Sequence, residues 1–172
     1  MLKALGVCLV VLACSALGFE KSLRLSKRLW SLREMQKMAL LLRGEISYRK
    51  SALPEALERT AGKVEAPFSG FLRETARRAD AFEGFSFAEI FAQEAEEAFG
   101  DSALASGDRQ ELARLGESLG YLDITMQENS IALFLQELEQ KIQTIQTEIP
   151  VKKKLYQTMG VLGGIFLAVA FL

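Results

Sequence analysis

Two stretches of the chain, positions 4–19 and 155–172, carry no charged residue, and the polar segment between them is patterned for helices. From about residue 19 to residue 50, apolar side chains recur every three or four positions. Leu25, Leu29, Leu32, Met35, Ala39, Leu42 and Ile46 share one stripe, while Arg33, Lys37, Arg43 and Lys50 fall largely elsewhere. No proline interrupts this run, so the first uncharged stretch is expected to continue into it as one helix. Ser51 is placed to cap a short helix over 54–64, where Pro54 is tolerated in the first turn. Pro67 opens a second, with Phe68, Phe71, Leu72 and Ala76 inward. Ser86-Phe87-Ala88-Glu89 has the form of a capping box heading a helix to Phe99, with Ile90, Phe91, Ala95 and Ala98 inward. Another helix is expected over 108–119, after Ser106 and Gly107. Asp123 can cap a long last helix through Ile131, Leu135, Leu138, Ile142 and Ile145, interrupted at Pro150 and resumed beyond it. No window alternates apolar and β-branched residues, so no strand is assigned. The pattern predicts an all-α fold, an antiparallel bundle of about six helices flanked by an N-terminal and a C-terminal transmembrane helix.

The uncharged ends set the predicted domain limits: an anchor over 1–19, a helical bundle over 20–150 and a second span over 151–172. The 18 uncharged positions at the C-terminus reach roughly 27 Å as a helix, enough for a thin hydrocarbon core. Lys152, Lys153 and Lys154 stand at its edge, and Gly160 and Gly164 form a Gly-x-x-x-Gly pair suited to close helix packing in lipid. The N-terminal run, led by Met1-Leu2-Lys3, passes through Cys14 to Phe19 without a small-residue break, which favours an uncleaved anchor. A cleaved signal peptide, or a lipoprotein modified at Cys14, is the competing reading. Lys21, Arg24, Lys27 and Arg28 follow the first span and Lys152–Lys154 precede the second, whereas only Lys3 stands outside. The positive-inside rule then puts the bundle in the cytoplasm.

Composition sharpens this picture by exclusion. With 21 basic and 22 acidic residues and a net charge of -1, the chain has no electrostatic case for binding nucleic acid. The average conceals an asymmetry: residues 20–50 hold nine bases and three acids (+6), residues 51–150 eight bases and nineteen acids (−11). Histidine is absent and the only cysteines are Cys8 and Cys14. The usual general base, most metal sites and any disulfide framework in the bundle are thereby removed. No phosphate loop occurs, since Gly160, Gly163 and Gly164 lack the Lys-Ser/Thr partner. Glu94, Glu96 and Glu97 read as a solvated helix face rather than an acid/base pair. The Phe82, Phe85, Phe87, Phe91 and Phe99 segment reads as core. The residues thus point to no enzyme, no cofactor and no small-molecule substrate.

Several short motifs, in order and from end to end, resemble the stage III sporulation protein AB family. They are Met1-Leu2-Lys3, Gly18-Phe19-Glu20, Glu45-Ile46-x-Tyr48, Leu53-Pro54-Glu55-Ala56-Leu57, Leu119-Gly120-x-x-Asp123-x-x-x-Gln127, Leu138-Glu139, and the tail from Lys154-Leu155-Tyr156 through Met159-Gly160-Val161-Leu162-Gly163-Gly164. The chain departs from the family's usual pattern at Arg49-Lys50-Ser51-Ala52 and at Asn129. The residues 44–57 and 116–120 are also similar to the F-type platform protein of type II secretion and type IV pilus machines. The resemblance implies a mother-cell membrane protein of the channel complex that links mother cell and forespore during endospore formation. Its implied partners are that complex's cytoplasmic secretion-type ATPase and the other subunits. Gly116, Glu117 and Gly120, with Glu94, Glu96 and Glu97, are the candidate partner contacts, although close helix packing and a C-cap explain the glycines more simply. The alternative in a different class is a membrane-tethered sensor or assembly chaperone that makes no ATPase contact.

Overall fold

The structure, a computed structural model, describes the backbone of residues 2–81, 84–120 and 123–170. It describes side chains there except at 2–15, 17, 156–157, 160–161 and 163–170. Six helices account for nearly all of the described backbone, and no strand occurs among the described residues: α1 (Leu2–Arg49), α2 (Leu53–Ala61), α3 (Phe68–Asp80), α4 (Phe87–Phe99), α5 (Ser106–Leu119) and α6 (Ile124–Ala170). The chain divides into two compact units. One comprises Met1–Leu29 with Gln143–Leu172, the other Trp30–Ile142. The same two helices, α1 of 48 residues and α6 of 47, contribute to both.

Local chemistry accounts for most boundaries. Lys50, at φ 51, turns the chain out of α1 in a left-handed conformation. Ala52 rather than Ser51 occupies the N-cap of α2, with no side-chain cap bond, and Pro54 lies in the first turn. The expected Ser51 cap is thus corrected: Ser51 remains in the connection, its N–H reaching back to the Glu45 carbonyl at 3.5 Å. Pro67 caps α3 as expected. At α4 the reciprocal box forms: the Ser86 hydroxyl accepts the Glu89 N–H at 3.3 Å while the Ser86 N–H donates to Glu89 Oε2 at 2.8 Å. α5 begins at Ser106, ahead of the expected 108, because the Asp108 carboxylate accepts the Ala105 N–H at 2.9 Å and closes the first turn. The Asp123 side chain accepts the Thr125 N–H at 3.0 Å at the head of α6.

The expected interruption at Pro150 does not occur, since α6 runs through it as one helix. Proline removes one donor and crowds the preceding turn, but the remaining ladder spans it. On the candidate spans, no helix is long and apolar enough among the described residues to cross a membrane. Most side chains of the uncharged ends, with those of Cys8 and Cys14 and the surroundings of Gly160 and Gly164, fall outside the described side chains, and Phe82 falls outside the described residues.

In the Trp30–Ile142 unit, α2 packs on α3, α3 on α4 and α4 on α5. The stripe expected on α1 is buried at Leu32, Met35, Ala39, Leu42 and Ile46, and Met38 joins it. Leu25 and Leu29, outside this unit, are half-buried. Phenylalanines fill the centre: Phe68 and Phe99 ring centroids lie 4.6 Å apart, Phe71 and Phe91 4.8 Å in an edge-to-face pair, and Phe71 and Phe99 5.4 Å. Such pairs add about 0.5–1.5 kcal/mol each beyond the area they bury. Of the phenylalanine-rich segment, Phe91 and Phe99 are core, while Phe85 is exposed beneath the Arg78 guanidinium.

Candidate interaction surface

The candidate contact residues sit on α4 and α5, which pack against each other. Helix periodicity separates the three glutamates of α4. Glu94 turns inward: its side chain is only 8% exposed and its Oε1 accepts from Arg78 Nη1 of α3 at 2.7 Å. The solvated-face reading is therefore corrected for Glu94, whose carboxylate ties α4 to α3. Glu96 points outward, 3.2 Å from Arg109 of α5, and Glu97 is exposed. On α5, Glu117 is exposed and Gly120 is the C-cap, in ordinary right-handed backbone.

Gly116 is buried, and a Cβ there would stand 2.4 Å from Phe91 Cδ1 and 2.6 Å from Phe91 Cγ. This glycine lets α5 approach the α4 phenylalanine at backbone distance. A Cβ at Gly120 would meet only ordinary contacts, with Phe87 Cβ at 3.8 Å. Of the six residues, Glu96, Glu97, Glu117 and Gly120 are thus available at the surface, and Glu94 and Gly116 hold helices together.

The buried acids share one arrangement that sequence reading missed. Glu45 of α1 receives Lys63 at 2.8 Å and Arg49 at 3.4 Å. Asp108 of α5, 1% exposed, receives Lys141 of α6 at 3.1 Å, and the same ammonium reaches Glu111 at 2.5 Å. Glu34 of α1 accepts the Glu65 N–H at 2.7 Å and Lys37 at 3.0 Å. The Lys63 hydrogen bond holds the Glu45 carboxyl below its ordinary 4.5, against the opposing cost of burial. Glu74 is lowered by Arg77, and Glu89 by the Ser86 hydroxyl and N–H. Glu45 thus ties α1 to the segment after α2, whereas Glu74 and Glu89 are held within α3 and at the head of α4. The only hint in the sequence was acid at positions the helical stripes assign inward, such as Glu94 one residue before Ala95.

Shallow grooves line the bundle. One of about 190 Å³ runs between α5 and α6, with Leu115 and Phe134 at its floor and Glu111, Arg114, Leu133 and Glu137 around it. A smaller one of about 140 Å³ lies between α4 and α5 and includes Glu96 and Arg109. Among the described residues no cluster of three or more acidic or cysteine side chains is arranged to hold a metal ion.

Comparison with known proteins points to one family. The family model of stage III sporulation protein AB matches residues 3–172. The chain is similar to stage III sporulation protein AB of Bacillus subtilis strain 168, with 26% identity over 171 residues covering 97% of each chain. A solved structure of a stage III sporulation protein AB superposes with a TM-score of 0.64 at 22% identity, covering 72% of this chain and 96% of that one. At that identity the likeness establishes the fold.

Proposed function

The chain belongs to the stage III sporulation protein AB family, and from that premise we propose that it is a non-enzymatic membrane-platform subunit. In this reading it serves the channel between mother cell and forespore in endospore formation. The bundle faces the mother-cell cytoplasm and couples to the channel's secretion-type ATPase, with the other channel subunits as further partners.

The observation that carries the reading is the composition of the two longest helices. α1 and α6 each run without a break into an uncharged end, and these ends belong to one unit. The described side chains of that unit turn apolar groups outward: Phe19 and Leu23 on α1, and Val151, Leu155, Met159 and Leu162 on α6. Outward apolar residues on a helix suit lipid, where association depends on packing rather than on expulsion of water. Lysines and arginines concentrated on the bundle side of both segments support the orientation. The absence of histidine and the use of buried acids as anchors between helices support a binding role over a catalytic one.

Two experiments test the reading. A single cysteine in the exposed α4–α5 connection, Asp101→Cys with Cys8 and Cys14 replaced by alanine, is expected to react only with a membrane-permeant maleimide in intact cells. Labelling by an impermeant reagent overturns the orientation. Co-purification from sporulating cells is expected to retain the cognate ATPase. The triple change Glu96→Lys, Glu97→Lys, Glu117→Lys should lower recovery at least tenfold. No association by the unaltered chain at any salt or detergent condition overturns the coupling.

A further inference from the structure

The outward face of α1 leaves large apolar and aromatic side chains exposed. Trp30, Arg33, Lys37, Leu40, Gly44 and Tyr48 follow one another at three- and four-residue steps on that face. Trp30 is 41%, Leu40 54% and Tyr48 90% exposed. Gly44 is the anomaly. A glycine inside a helix is unfavourable relative to alanine, yet nothing lies within 4 Å of where its Cβ would be. No contact within the chain requires a glycine there. It leaves a gap in the stripe between Leu40 and Tyr48, open to whatever packs from outside.

α6 presents the matching stripe: Met126, Ser130, Leu133 and Glu137, again at helical steps. Met126 is 50% and Leu133 59% exposed, and the α5–α6 groove runs beside it. The charges on the two stripes are opposite in sign, Arg33 and Lys37 on α1 against Glu137 on α6. We propose that the α1 face of one copy docks on the α6 face of a second copy of this chain.

The levels of the two stripes agree. In one copy the Gln36 amide donates to the Glu139 carboxylate. α1 enters the Trp30–Ile142 unit with its later residues and α6 with its earlier ones, so the two run antiparallel. Counting forward on α1 and back on α6 from that bond puts Lys37 level with Leu138, Gly44 with Ile131 and Tyr48 with Gln127. Copies related by an axis parallel to these helices keep the same levels. Lys37 of one copy then meets Glu137 of the next. Leu133 enters the gap between Leu40 and Gly44, as a knob enters a hole. Tyr48 meets Met126, a favourable sulfur–aromatic contact. Lys37 also bonds Glu34 within its own chain, but 47% of its side chain stays accessible to a second carboxylate.

The test uses two differently tagged full-length copies lacking Cys8 and Cys14, one with Leu40→Cys and the other with Leu133→Cys. Mild oxidation in cells is expected to give a mixed-tag disulfide dimer on a non-reducing gel. Lys37→Glu or Glu137→Lys alone should cut its yield at least tenfold, and both changes in every copy should restore it. Gly44→Leu should abolish the dimer without lowering the melting temperature, because nothing in its own chain lies within 4 Å of a Cβ there and leucine favours the helix over glycine. The proposal is overturned if Leu40→Cys couples only to another Leu40→Cys. It is equally overturned if that cysteine couples only to a different, untagged protein, or if Gly44→Leu dimerises like the parent. Because no ATPase is involved, these outcomes are independent of the coupling proposed above.

Discussion

Single residues act here mainly through backbone geometry and close approach. Lys50 holds φ 51 with a side chain that disfavours it, and the left-handed region costs a non-glycine residue about 1–2 kcal/mol. Lys50→Gly removes that cost and loses part of the gain to the greater freedom of glycine in the unfolded chain. It is expected to raise stability by about 0.5–1 kcal/mol, read from thermal unfolding followed by circular dichroism. Gly116 is the opposite case. Alanine there drives a methyl into the Phe91 ring, whose nearest atom would be 2.4 Å away, and such overpacking costs about 1–3 kcal/mol. Gly116→Ala is expected to lower the urea midpoint, and Phe91→Leu in the same chain should recover part of the loss. A full recovery of neither variant's deficit in combination, with strictly additive effects, counts against direct contact. Sequence pointed to close packing at Gly116 but not to Phe91, because the ring that meets it belongs to a different helix.

Helices carry the next level of organisation. The Ser86–Glu89 box, the Pro67 start and the Asp123 cap were legible because each depends on residues within a few positions of one another. The Pro150 interruption was misread for the same reason: local propensity favours a break, while α6 continues through it. The inter-helix ion pairs were not legible, since each joins residues well separated in the chain. Lys141 and Asp108 are the clearest instance. Lys141→Met removes the Lys141 ammonium from the Asp108 carboxylate, 1% exposed, and breaking a buried pair costs about 3–5 kcal/mol. Lys141 is partly exposed, so a loss of about 3 kcal/mol is expected in chemical unfolding. Adding Asp108→Asn should return part of it. Equal stability of Lys141→Met and the parent would show that the pair anchors nothing.

Across the whole molecule, bonded carboxylates make stability depend on pH. Glu45, Glu74 and Glu89 are each lowered from 4.5 in the folded chain. A carboxylate depressed by folding contributes stability that is complete above its unfolded value and is lost as pH falls through the folded one. Unfolding midpoints are therefore expected to hold near neutral pH and to fall steadily below about 4.5. Glu45→Gln should flatten part of that decline while leaving its lower limit similar. A midpoint that rises on acidification would overturn the reading that these ionised carboxylates stabilise the fold. The order of six helices, their capping boxes, their inward stripes and the uncharged ends follow from neighbours along the chain, where propensity and periodicity operate. Which glutamates are buried, why Gly116 must be small for the fold of its own chain while Gly44 need not be, and where apolar side chains are left facing outward depend on what lies across each helix. That is set by packing between residues far apart in the chain, and only the assembled bundle brings those partners together.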